Sequence, residues 1–199
     1  MNKQYKLLAT VLVVLGFVLF YLFALNENKQ MEVAETVSHE AELEYKNKFY
    51  NLNFETNSKI TGTVVKNILC EIEGESKISL SELVKEKPKL VFRYSNINCK
   101  TCFEAQLELI NKLFENSEDV IILCSYNISR DFLVFKKMNK IKVPIYRIPK
   151  EDMEWEINNP FYFLLNKSMS ISNIYIPDKK YQQMSLQYLL SMQKLINAK

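Results

Sequence analysis

Three glycines, five prolines, one histidine and one tryptophan are few for 199 residues. No Gly- or Pro-rich low-complexity segment and no internal repeat runs through the chain. The lone histidine, His39, has no Cys, Asp or Glu cluster arranged around it and reads as an exposed bystander, not a metal ligand. Lys and Glu are mixed along the chain, a basic block is missing and the net charge is only +3, so nothing indicates a nucleic-acid surface. What is present is ordinary globular composition, 48% hydrophobic and 25% charged, enough for a core without staples.

The N-terminus departs from that pattern. From Leu7 to Leu25 run nineteen residues without a charge, LLATVLVVLGFVLFYLFAL. At 1.5 Å per residue this nearly spans a ~30 Å hydrocarbon core. A secretory signal peptide is the competing reading, but its apolar region is shorter and ends in a small-x-small site, for which Leu22-Phe23-Ala24 is poor. An uncleaved single-span anchor is favoured. Lys3 and Lys6 precede the run; Glu27, Lys29, Glu32 and Glu35 follow it. The positive-inside rule then predicts residues 1–6 in the cytoplasm, 7–25 in the lipid bilayer of the cell (inner) membrane, and the rest periplasmic or otherwise extracytoplasmic. There, cysteine pairs can be structural or catalytic.

Residues 26–57 are polar, with Val33, Val37, Ala41, Tyr45, Phe49 and Leu52 at near-helical spacing, a thin stripe that suits a stalk helix or a linker. A domain over 58–199 follows. Ile60–Ile72 reads as a strand or hairpin and Ser79–Val84 as a short capped helix. Leu90–Phe92 and Asp119–Ser125 read as apolar strands, and Ser129–Lys140 as a helix with Phe132, Phe135 and Met138 inward. Lys142–Ile148 is a shorter strand, Asn159–Leu165 and Ile171–Ile176 a hairpin, and Tyr181–Ile196 a closing helix striped by Met184, Tyr188, Met192 and Leu195. This order predicts an α/β sandwich with a mixed central sheet and helices on both faces.

The chemistry concentrates in KLVFRYSNINCKTCFEAQLELINKLF, from Lys89 to Phe114. A strand leads through a polar loop to Cys99-Lys100-Thr101-Cys102 and then to a helix whose Phe103, Leu107, Ile110 and Phe114 share one face. Only a thiolate attacks a disulfide, and an unperturbed cysteine near pKa ~8.5 is mostly thiol at neutral pH. Unpaired N–H groups in a helix's first turn favour an anion there, and Lys100 adds a full stabilising charge next door. Cys99 is therefore assigned as the attacking nucleophile and Cys102, one turn further in, as the resolving thiol. Half of a zinc site, a structural disulfide and two idle thiols are the alternatives. Cys70 and Cys124 read as non-catalytic; Cys124 lies inside an apolar strand as a small hydrophobe.

The SLSEL segment, the strand running into Cys99-Lys100-Thr101-Cys102 and the Asn159-Pro160 opening of a later strand together resemble the thioredoxin superfamily, over roughly residues 60–199. The chain is most similar to the membrane-anchored extracytoplasmic TlpA-like and ResA-like thiol–disulfide oxidoreductases. The resemblance implies a thioredoxin-like fold in which Pro160 is a cis-proline facing the CxxC and Asn159 binds the substrate backbone. It also implies protein cysteines as substrate, a membrane thiol–disulfide electron donor or acceptor as partner, no diffusible cofactor, and work mostly as a reductant. The chain departs from the family where Asn98 stands for an aromatic residue, Lys100-Thr101 lacks proline, and Phe161 replaces a threonine. Its one tryptophan, Trp155, is not at the motif, and no buried acid can be assigned as proton acceptor. Two other functions fit the same fold: a metal-binding or copper-delivery module, and a redox-inactive domain that binds a partner. A peroxidase is disfavoured because a Pro-x-x-x-Thr-x-x-Cys motif is missing.

Overall fold

The structure is a computed structural model that describes residues 3–72, 76–95, 100–148 and 159–197, without the side chains of 3–14, 18, 19, 24, 28–35 and 100. It divides into two compact units, Met1–Tyr50 and Asn51–Lys199.

The first unit belongs to helix α1 (Lys3–Ile60). The side chains of residues 7–14, 18, 19 and 24 in the apolar run lie outside those described. Among the described residues no helix is long and apolar enough to cross a membrane. Within the run, Phe17, Phe20, Tyr21, Leu22 and Phe23 are all exposed. Further on, Lys48 pairs with Glu44 one turn back at 2.7 Å, a solvated contact of small worth.

The second unit is built on a seven-stranded sheet. Its strands are β1 (Leu69–Glu71), β2 (Lys77–Ser79), β3 (Lys89–Ser95), β4 (Val120–Ser125), β5 (Ile145–Ile148), β6 (Phe161–Leu165) and β7 (Ile171–Tyr175), and their spatial order is β2-β1-β5-β4-β3-β6-β7. The β3–β4 and β4–β5 pairs are parallel; β3–β6, β6–β7, β1–β5 and β1–β2 are antiparallel. The sheet is mixed, as the element order predicts. Every residue of β3, β4 and β6 is buried, which is why these strands read as continuous apolar runs and do not alternate.

Helices cover both faces. Phe92 and Tyr94 of β3 point to the face that carries α3 (Lys100–Leu113), α4 (Ser129–Met138) and α5 (Gln182–Asn197). On α3, Phe103, Leu107 and Ile110 are buried, as is Phe114 just past its end, so the four-three-four spacing is the core stripe. Each such side chain contributes roughly 1.5–3 kcal/mol by leaving water. The opposite face packs Val91, Ile121, Leu123, Phe161 and Phe163 with Ile60 at the end of α1 and with Leu80 and Val84 of α2 (Leu80–Val84). Ser79 caps α2, its hydroxyl accepting from the Glu82 N–H.

Three local expectations are corrected. Ile60–Ile72 is neither one strand nor a hairpin within itself: Ile60 ends α1, Val64 makes a lone bridge to Ser170, and only Leu69–Glu71 joins the sheet, where it pairs with β2. Met138 is 73% exposed and not inward; steps of three from Phe132 rotate backwards, leaving residue 138 about 120° off the buried line. On α5 the buried line is Ser185, Leu189, Met192 and Ile196; Met192 is in the expected stripe, the other three stand one residue over from it, and Leu195 is exposed. Ser185 concealed that line because it is polar; its hydroxyl is satisfied by Tyr175 at 3.2 Å.

The outer edge of the sheet, β7, is closed by side chains. Asn53 Oδ1 accepts from the Ile176 N–H at 2.7 Å and its Nδ2 donates to the Ile176 carbonyl at 3.2 Å. Asn57, one turn on, makes the same two bonds with Ile174. Four helical residues advance about 6 Å and two strand residues about 6.6 Å, so the two amides meet alternate backbone groups of the edge. A register shift between Tyr162 and Leu164, with Asn173 at φ +53°, marks the bulge ahead of this contact. The hydroxyl of Tyr188 donates to the Asn173 carbonyl at 2.6 Å.

Candidate active site

The central strand β3 ends at Ser95 and α3 begins at Lys100, so Cys99-Lys100-Thr101-Cys102 falls where strand passes to helix. Cys99 and the Lys100 side chain lie outside the described residues. Cys102 is described: it is half-buried in the first turn of the 14-residue helix. Four N–H groups at such an end lack intrahelical acceptors, and their field favours a thiolate over a thiol.

The next residue holds this turn in place. Phe103 is fully buried, with its ring 4.3 Å from Tyr94, 4.9 Å from Phe135 and 5.8 Å from Phe92, centroid to centroid. Strand, helix α3 and helix α4 thus meet on one aromatic side chain. Below it Gln106, also buried, accepts from the Tyr162 hydroxyl at 3.1 Å and ties α3 to β6.

Topology brings the second predicted element to the same end of the sheet. β6 runs antiparallel to β3 with Arg93 opposite Phe161, so Asn159 and Pro160 continue β6 beside the end of β3. Pro160 is buried and Asn159 exposed. Among the described residues no peptide bond is cis, so the cis Asn159–Pro160 bond implied by the resemblance is corrected to trans. The trans form is the intrinsically favoured one, by about 0.5–1 kcal/mol.

Cys70 and Cys124 are buried free thiols that do not pair with each other. Burial pushes the Cys70 thiol up to about 12. Burial also pushes Cys124 up, with the Arg93 charge pulling the other way. Both stay protonated at neutral pH and are poor nucleophiles. Among the described residues no group of three or more His, Cys, Asp or Glu side chains could hold a metal ion.

One residue at this end of the sheet was missed from the sequence. Arg93 is 3% exposed, inside the central strand. Its Nη1 donates to the carbonyls of Tyr94 and, at 3.4 Å, of Leu123, and its Nη2 to the Ser125 hydroxyl. The available signal was a second charge in KLVFRYS, in the interior of the strand among Leu90, Val91, Phe92 and Tyr94.

No family model and no curated protein sequence matches the chain. Solved structures do. A provisionally named thiol:disulfide interchange protein DsbE from Chlorobium tepidum is 11% identical with a TM-score of 0.52, over 66% of this chain and 96% of that one. A provisionally named electron transport protein from Aquifex aeolicus is 12% identical with a TM-score of 0.51, over 70% of this chain and 99% of that one. A provisionally named electron transfer protein, also from Aquifex aeolicus, is 17% identical with a TM-score of 0.50, over 65% of this chain and 92% of that one. At such identities the likeness is one of fold. The fold is thioredoxin-like, with a mixed sheet.

Proposed function

We propose that the domain is a thiol–disulfide oxidoreductase acting on protein cysteines through Cys99 and Cys102. The observation that carries this reading is the place of Cys102: in the first turn of α3, at the end of the buried central strand, with Asn159 exposed at the same end. The Cys99 thiolate attacks one sulfur of a substrate disulfide, forming a mixed disulfide and expelling the other substrate sulfur as a thiolate, which takes up a proton. Cys102 then loses its proton and attacks the Cys99 sulfur, closing the Cys99–Cys102 disulfide and releasing the second substrate thiol. Two electrons pass to the substrate. A dithiol partner returns them by the reverse exchange, so no diffusible cofactor is needed. Lys100 and the helix terminus favour the thiolate, and Asn159 and Pro160 border the path of the substrate chain.

The proposed direction is reductive and the proposed site of action extracytoplasmic, with residues 7–25 holding the chain in the cell membrane and residues 1–6 in the cytoplasm. The uncharged run and its flanking charges support this, as do the exposed side chains of Phe17, Phe20 and Phe23, which water disfavours and lipid accepts. The electron donor is then a membrane thiol–disulfide protein or another thioredoxin-like domain.

The test is reduction of a disulfide-containing protein by the full chain in detergent. Cys99→Ser is expected to abolish turnover, and Cys102→Ser to trap a mixed disulfide seen on non-reducing gels. Full activity in Cys99→Ser refutes the reading.

A further inference from the structure

We infer that a recess at the amino end of the parallel strands binds a small monocarboxylate with an apolar body, its anionic head held by the Lys89 ammonium. The recess, about 270 Å3, lies beside α2 where β3, β4 and β5 begin. Lys89 is the first residue of β3, Glu118 stands just before β4, and Pro144 just before β5. Six steps of ~3.3 Å along β3 separate Lys89 from Ser95, where the chain leaves for α3. The recess is therefore roughly 20 Å from the CxxC end of the sheet and independent of the thiol–disulfide reading.

Lys89 is 8% exposed. Its Nζ donates to the Glu118 carbonyl at 2.7 Å, and no carboxylate pairs with it among the described residues. An ammonium has three N–H donors, so two are left for a ligand. Burying a cation without a counter-ion is costly, and an aliphatic side chain would begin this strand without that penalty. An anion supplied from outside removes the cost.

The remaining walls specify what the anion is attached to. Ile78, Leu83, Ile121 and Pro144 give an apolar surface. Tyr146 adds a half-buried phenol that makes no hydrogen bond among the described residues. Burial raises the Tyr146 pKa above its ordinary value, so at neutral pH the hydroxyl is a donor. At the mouth Glu82 already engages Lys85, and the exposed carboxylates of Glu86 and Glu118 repel a multiply charged ligand such as phosphate. At the ~30 Å3 that a water takes in the liquid, the volume holds about nine non-hydrogen atoms, the size of benzoate or hexanoate.

The experiment titrates the full chain in a non-ionic detergent with 4-fluorobenzoate, followed by its fluorine line width, and repeats the titration with the neutral 4-fluorobenzamide. The acid is expected to bind saturably and the amide about tenfold more weakly or less. Lys89→Met should weaken the acid by about tenfold or more, because a charge-assisted hydrogen bond is lost. If Lys89→Met does not fold by circular dichroism, Tyr146→Phe replaces it, with an expected weakening of about threefold. A wild-type chain that does not saturate with the acid below about 10 mM overturns the inference. So does a chain that takes acid and amide alike, or a folded variant that binds the acid as wild type does. None of these results bears on the Cys99–Cys102 chemistry.

Discussion

Asn57 hydrogen-bonds to both backbone groups of Ile174, accepting from its N–H at 2.9 Å and donating to its carbonyl. Asn53 repeats the arrangement at Ile176. Each asparagine amide turns one donor and its acceptor oxygen to the strand, as a peptide group does, so the two side chains stand in for a neighbouring strand on β7. Open strand edges invite pairing with other chains. Here the end of α1 occupies the edge.

Asn57→Leu removes both bonds and leaves the Ile174 groups without a protein partner. We expect a loss of about 1–3 kcal/mol, read as a lower urea midpoint with an unchanged slope. Self-association should rise as well, since the edge is uncovered. An unchanged midpoint would mean that water replaces the amide at no cost.

A pH dependence follows from Glu71 and Arg147, which join β1 to β5. Arg147 Nε donates to the Glu71 carboxylate, Ser129 Oγ donates to its other oxygen at 3.3 Å, and Arg147 Nη1 reaches the Tyr126 carbonyl at 2.9 Å. The hydrogen bond from Arg147 is the main cause holding the Glu71 carboxyl below its ordinary value of 4.5. A depressed folded-state value means that the stabilisation is complete above the unfolded pKa and is lost as pH falls through the folded one. Glu71→Gln should therefore be less stable than wild type at neutral pH, and the gap should close as the urea midpoints are followed below about pH 4. A gap that is constant across that range argues against the ion pair as its source.

The two buried thiols give a third expectation. With Cys70 raised to about 12 and Cys124 raised as well, neither should react with iodoacetamide in the reduced native chain at pH 8. At most two cysteines should be modified before unfolding, and all four after it. A Cys70→Ala, Cys124→Ala chain should keep disulfide-reducing activity within about twofold of wild type, because neither thiol is ionised enough to take part. Rapid modification of a third thiol in the folded chain would place one of them in the chemistry.

Much of the site could be read along the chain because its parts are local. The step from β3 into α3 needs only a change of hydrophobic period, from a continuous run to a four-three-four stripe, and the buried Phe103, Leu107, Ile110 and Phe114 follow it. The capped turn at Ser79 is equally local. Periodicity failed at Met138, where steps of three walk off the buried line, and at Ser185, where a polar residue sits on it.

Local pattern along the chain was enough for the order of elements from β3 onward, the strand-to-helix junction around the CxxC, and the inward face of α3, since each depends on neighbours within a turn or two. What crosses between elements came only with folding. It brought Asn57 to Ile174 across 117 positions and Arg93 to Ser125 across 32, and it laid Pro160 in trans beside the end of β3. Such pairings depend on strand order and register, which set the distances between residues far apart in the chain. A hydrophobic pattern specifies which face is buried. It does not specify which polar group waits on the other side.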